Sequence, residues 1–216
     1  MRDERLGSTP VITGGLVWLA IAVALGAAGA FRELRPPAPQ LVLGGLTLLV
    51  LLAAGLVAPL RRWVSTVDVR ALVALHVTRI VAGGWFLVLY GRGELPYAFA
   101  VPGGVGDIVV GLLALGLVVA VEPLTVSGRR AYAVWNVLGL IDILYVVATA
   151  VRIATRDPEA MAALLRLPLS VLPTWLVPLI IASHVILALR LARSGGHALA
   201  RSGGHALTRS GGGRAR

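Results

Sequence analysis

The chain has 216 residues, 57% hydrophobic and only 14% charged, with a mean hydropathy of +0.87. A soluble domain carries roughly 25% charged residues, so the composition speaks against an ordinary soluble fold. There is no cysteine, which excludes disulfides, thiolate metal sites, iron–sulfur clusters and cysteine nucleophiles. The formal charge of +10 comes from 20 basic residues, every one an arginine. They sit at the ends of apolar runs and in the tail, a placement that fits topology control and contact with anionic headgroups. No nucleic-acid-binding motif accompanies them, so no nucleic-acid partner is expected.

Residues 1–10 are a short polar lead with Arg2 and Arg5. Residues 11–30 form the first apolar span. It ends Ala28-Gly29-Ala30, like a cleavage site, but its about 20 apolar residues exceed the 7–15 typical of a signal peptide, so a retained helix is expected. Residues 31–40 (FRELRPPAPQ) make a tight loop, because its prolines cannot continue a helix. The second span covers 41–60 and is closed by Pro59 and Arg61-Arg62. Gly14-Gly15 and Gly44-Gly45 read as small-residue helix packing.

The third span covers 70–90. Residues 91–104 read as a Gly/Pro-rich turn whose Leu95, Tyr97 and Phe99 suit an interface belt, as do Trp85 and Tyr90. The fourth span, 105–121, opens near Asp107 and is stopped by Pro123. The fifth covers 131–151. A polar loop with Arg152, Arg156, Asp157, Glu159 and Arg166 follows, with a short surface helix expected over 158–166. The sixth span, 169–190, is bent by Pro173 and Pro178. Residues 1–190 thus form one six-span domain. The tail, 191–216, repeats LARSGGHA and reads as a flexible, disordered basic tether.

With the N-terminus inside, the inner segments hold 13 arginines and the outer loops 6, which puts both termini in the cytoplasm. The fold class expected is therefore an all-α, polytopic membrane helix bundle with six transmembrane helices, placed in a bacterial cytoplasmic (inner) membrane. The lysine-free, Ala/Arg-rich usage suggests a GC-rich bacterial genome.

A helix rises about 1.5 Å per residue, which converts sequence offset into depth. His76 lies six residues after Arg70, Asn136 six after Arg130, and His184 six before Arg190, so all three fall about 9 Å from the inner boundary. Arg79 and Asp142 fall near the midplane, at about 14 and 18 Å, and Asp107 in the outer third. Unpaired charge at such depth is costly, so Arg79 and Asp142 are expected to pair, with His76 and His184 as titratable neighbours. His76, Arg79 and Gly83 share a helix face. Asn136 is an interhelical hydrogen-bonding candidate.

This constellation fits a site that binds or conducts a small solute or a proton, with a homo-oligomer able to complete a transport path. One alternative is a haem b with His76 and His184 as axial ligands and Arg61 or Arg62 meeting the propionates. Another is a non-catalytic scaffold in which the polar pairs only fix helix packing. No HExxH, GxSxG or phosphate-loop pattern is present, so no enzymatic role, metal or other cofactor is indicated.

Three stretches, HVTRIVAGGWFLVLYGRGELPYAFAVPGGVGD at 76–107, WNVLGLID at 135–142 and LPTWLVPLIIASH at 172–184, resemble a family of small uncharacterised bacterial multi-pass membrane proteins. The likeness covers about residues 70–190. It implies the six-span fold and no particular chemistry.

Overall fold

The computed structural model describes the backbone of residues 2–210 and the side chains of residues 9–193. Among the described residues it is all helix and turn, with no strand. Eight α-helices follow in chain order: α1 (Arg2–Ala27), α2 (Ala38–Leu56), α3 (Ala58–Thr66), α4 (Val69–Ala74), α5 (Thr78–Gly91), α6 (Tyr97–Ala120), α7 (Val126–Arg156) and α8 (Val177–Ser210). Six stretches are long and apolar enough to cross a membrane: Thr9–Ala27, Ala38–Leu56, Val69–Gly91, Tyr97–Ala120, Val126–Arg156 and Leu172–Arg193.

Three differences from the sequence reading stand out. The third stretch is not one helix: a 3-10 turn, Leu75–Val77, joins α4 to α5 and carries His76. The fourth helix begins at Tyr97, not 105, so Asp107 is ten residues inside α6 rather than at its entry. Pro102 lies in the second turn of α6, where it withholds one N–H from the Ala98 carbonyl and the helix continues past it. This early start turns Leu95 and Phe99 inward, both buried, and leaves Tyr97 exposed, so only the last suits an interface belt. In the sixth stretch the prolines produce a π-helical turn, Leu172–Leu176, in which Val177 N–H reaches five residues back to the Leu172 carbonyl. Pro178 has no N–H to give, which loosens this turn. The backbone of α8 runs on to Ser210; side chains from 194 onward, and residues 211–216 altogether, where the basic tether is expected, lie outside the described residues.

The inner bundle is α4–α8. The tightest crossing is α5 on α6, where Gly83 and Gly104 meet backbone to backbone. A Cβ on Gly104 would lie 2.8 Å from the Gly83 carbonyl oxygen, and one on Gly83 would overlap the Gly104 carbonyl. α7 packs on α6 and α8. α2 joins the bundle through α3, α8 and the π turn, and α1 through α3 and the π turn. Trp175 Nε1 donates to the Gly15 carbonyl at 3.0 Å and so ties α1 to that turn. Gly14, Gly15, Gly44 and Gly45 all face open space, so the close packing expected of them is not made within one chain.

At one end of the bundle the helix termini are tied by polar side chains. Asp68 caps α4 through Arg70 N–H at 2.8 Å, and Arg70 pairs with Glu122 at 2.9 Å. Tyr132 donates to the Leu117 carbonyl at 3.0 Å, and Arg190 to the Val67 carbonyl at 2.6 Å, satisfying carbonyls that a helix end leaves open. At the other end the 3-10 segment Glu159–Leu165 lies where a short surface helix was expected, and it buries Met161.

Candidate functional site

Along each inner helix the polar residues fall between two apolar clusters. Phe86, Phe99 and Val146 belong to one, Val73, Val110 and Trp135 to the other. Arg79 is 1% exposed and lies between them, the second residue of α5. Burial of a guanidinium is tolerable only if its charge and donors are met. They are met by α6 and α7 together. Nε donates to Asp107 Oδ1 at 2.6 Å, and NH2 reaches the same oxygen at 2.6 Å. NH2 also pairs with Asp142 Oδ2, and NH1 donates to the Gly139 carbonyl at 3.2 Å.

The Arg79–Asp142 pair is therefore present, with Asp107 as a second carboxylate on the same guanidinium. Asp107, expected in the outer third as an extension of this core, stands on the guanidinium itself. With both carboxylates ionised the cluster carries one negative charge more than the guanidinium balances. Glycine makes the room: on α6, Gly106 lies so close to the Asp142 carboxylate that any Cβ would overlap it.

The second layer is equally contiguous. His76 and His184 are fully buried, with ring centroids 4.3 Å apart, and Trp135 packs on both at 4.8 and 5.4 Å. Ser183 Oγ donates to the Ile180 carbonyl at 2.8 Å, which uses its only hydrogen, so His76 Nε2–H donates to Ser183 Oγ at 2.9 Å. Asn136 Nδ2 donates to the His184 carbonyl at 3.1 Å, so Asn136 Oδ1 receives His184 Nδ1–H at 2.8 Å. Both tautomers follow from the network rather than from visible hydrogens. Each neutral ring then keeps one bare lone pair. His76 Nδ1 and His184 Nε2 are buried with no hydrogen-bond partner among the described residues. Gly139 lets His184 approach α7, since a Cβ there would sit 2.7 Å from its Cε1.

Haem b held by His76 and His184 would need its iron between the two rings, on opposite faces of the macrocycle. Here the rings touch, tilted by 55°, with one nitrogen of each held by Ser183 and Asn136. This packing does not fit the group. Among the described residues no cluster of three or more His, Asp or Glu has the arrangement of a metal site.

Sequence reasoning missed the space beside the cluster. A cavity of about 120 Å³ runs from the Arg79 and Asp107 side chains, between α2, α5, α7 and the π turn, toward the loops at 34–40 and 158–165. Its walls include Phe86, Phe99, Ile143, Val146 and Leu176. Gln40 and Leu43 face it from α2, and Gln40 Oε1 is buried without a partner. The exposed pair Arg35–Glu159, at 2.9 Å, bridges the two loops at its outer end. Only the unusual polarity of Gln40 beside an apolar run signals this space in the sequence.

No curated protein and no solved structure matches the chain. The family described as a domain of unknown function (DUF8737) matches residues 36–192, from the loop before α2 into α8, and the chain belongs to that family.

Proposed function

We propose that this chain is a multi-pass protein of a bacterial cytoplasmic membrane, with both termini on the cytoplasmic side, that binds or conducts a small solute or a proton. Membrane insertion is supported by what the outward faces carry. Leu41, Leu56, Val81, Val119 and Ile141 are each at least 60% exposed, and water would be a poor solvent for such a surface. Orientation is supported by the excess of arginine on the side of Arg61, Arg62, Arg70, Arg129 and Arg130, which also supplies contact with anionic headgroups.

The observation that carries the functional reading is the cavity whose floor is Arg79 and Asp107. A charged cluster that only glued helices together would be sealed by packing. This one has a shaft leading to it, and two imidazoles with bare lone pairs lie one layer away. A buried group able to accept a proton or a ligand's donor, reachable from one side, is what a binding or relay site requires.

Two measurements test this. The chain has no cysteine, so single cysteines report sidedness directly. In oriented vesicles Ser127→Cys is expected to label only from the cytoplasmic side and Gly93→Cys only from the opposite one. Flux of protons or small solutes into proteoliposomes holding the full chain is expected to exceed that of empty vesicles. It is expected to fall when Leu43→Trp fills the cavity. Equal flux in both, together with no ligand binding, would leave a scaffold and overturn the proposal.

A further inference from the structure

We propose that the cavity takes a small organic cation, an ammonium group on an apolar body, with the ammonium at Asp107. This deepens the solute-binding reading above and rests on it.

Arg79 looks at first like an anion site, but four of its five N–H groups are committed. Nε and NH2 are held by Asp107, NH2 by Asp142 as well, and NH1 by the Gly139 carbonyl. An entering anion would also meet two carboxylates. The acceptors, by contrast, are in excess. Every hydrogen bond to Asp107 among the described residues falls on Oδ1, and its carboxyl side chain retains 5% exposure beside the cavity. A floor with an unfilled carboxylate oxygen, and with one surplus negative charge when both carboxylates are ionised, calls for a ligand that brings positive charge and N–H donors.

The walls define the rest of the ligand. The lining above the floor is apolar, and Phe86 and Phe99 pack within it with ring centroids 4.9 Å apart and planes tilted by 59°. A bare metal cation would gain nothing there, whereas hydrocarbon would. At about 120 Å³ the cavity holds roughly eight to ten water-sized spheres, room for one small organic molecule. Its long axis ends at the loops bridged by Arg35 and Glu159, so entry is from the side opposite Arg61 and Arg62.

The test is calorimetric titration of the full chain, in nanodiscs of zwitterionic lipid, with three probes of one shape: 2-phenylethylammonium, 2-phenylethanol and phenylacetate. The ammonium is expected to bind about tenfold more tightly than the alcohol, and the carboxylate more weakly than either. Asp107→Asn is expected to erase the preference for the ammonium, and Leu43→Trp to abolish binding of all three. Should Asp107→Asn fail to fold, the order of the three probes on the unaltered chain still decides the assignment. Equal affinity for ammonium and alcohol, or tighter binding of the carboxylate, overturns the cationic assignment while leaving a solute site. Binding by none of the three overturns it too, and the flux measurement then decides separately whether a proton path remains.

Discussion

By apolarity α2 and α6 are near twins, with mean hydropathies of 2.0 and 2.2 over their most apolar windows. Yet 6% of one window is buried inside the protein and 39% of the other. The glycines mark the difference. Gly44, Gly45 and Gly55 on α2 have nothing within 4 Å of where a Cβ would stand, while Gly103, Gly104, Gly106 and Gly111 on α6 each meet a neighbour. Apolarity decides that a helix can leave water. What it packs against is decided by small residues that admit a partner and by ionisable groups that demand one. α6 has both. α2 has glycine without charge, and it stands at the edge.

The strongest way to break this comparison is to remove the demand. Arg79→Met would leave Asp107 and Asp142 buried with no countercharge, at a cost of roughly 3–5 kcal/mol, enough to lose the folded protein from a detergent extract. Adding Asp107→Asn and Asp142→Asn removes the stranded charges and is expected to restore most of the folded yield. Monodispersity on size-exclusion chromatography reads both outcomes. An Arg79→Met single variant that runs like the parent would mean the cluster does not organise the bundle.

A smaller effect separates the two kinds of glycine. Gly104→Ala places a methyl 2.8 Å from a backbone oxygen that cannot swing away, so α5 and α6 must part, at about 1–3 kcal/mol. Gly44→Ala meets nothing and gains helix propensity, about 0.8–1 kcal/mol in a soluble host. Thermal unfolding in one detergent is expected to fall for the first and hold or rise for the second. The same direction for both would erase the distinction.

These contrasts also show what the sequence could and could not disclose. The six apolar stretches were readable because hydropathy is a local property. The pairing of Arg79 with Asp142 and of His76 with His184 was readable because offset from arginine gives depth, and buried charge leaves few alternatives. The start of α6 was missed because a Gly/Pro-rich segment reads as a turn, and nothing local announces that the helix runs through Pro102. The 3-10 turn at His76 and the π turn at Leu172–Leu176 were invisible for a similar reason: they answer to neighbours, the first facing Gly111 on α6. The cavity is the clearest case. It exists between five segments distant in sequence, so no window along the chain contains it.

Within the site, Asn136→Leu is expected to cost about 1–3 kcal/mol, because it strands the His184 Nδ1–H and removes the donor to the His184 carbonyl. Asn136→Gln keeps the amide but lengthens the arm, so recovery by Gln would show that reach is not limiting. Unfolding midpoints compare the three proteins. A Leu variant equal to the parent would mean that the imidazole finds another partner, and the tautomer assigned to His184 would fall with it.

The least costly change probes the edge of the molecule. α1 lies outside the family's span of residues 36–192, and its hydrogen bond to the inner chain runs from Trp175 to the Gly15 carbonyl. Trp175→Phe removes that bond and keeps the ring, a loss of about 0.5–1.5 kcal/mol. If α1 is an attachment to a bundle that stands by itself, the loss should appear locally. Amide hydrogen exchange is expected to rise within residues 9–27 and stay level across α6, because local opening draws on local contacts. Faster exchange in α6 as well would show that the edge helix supports the core, and the line drawn between α2 and α6 would then divide degrees of burial rather than two tiers of structure.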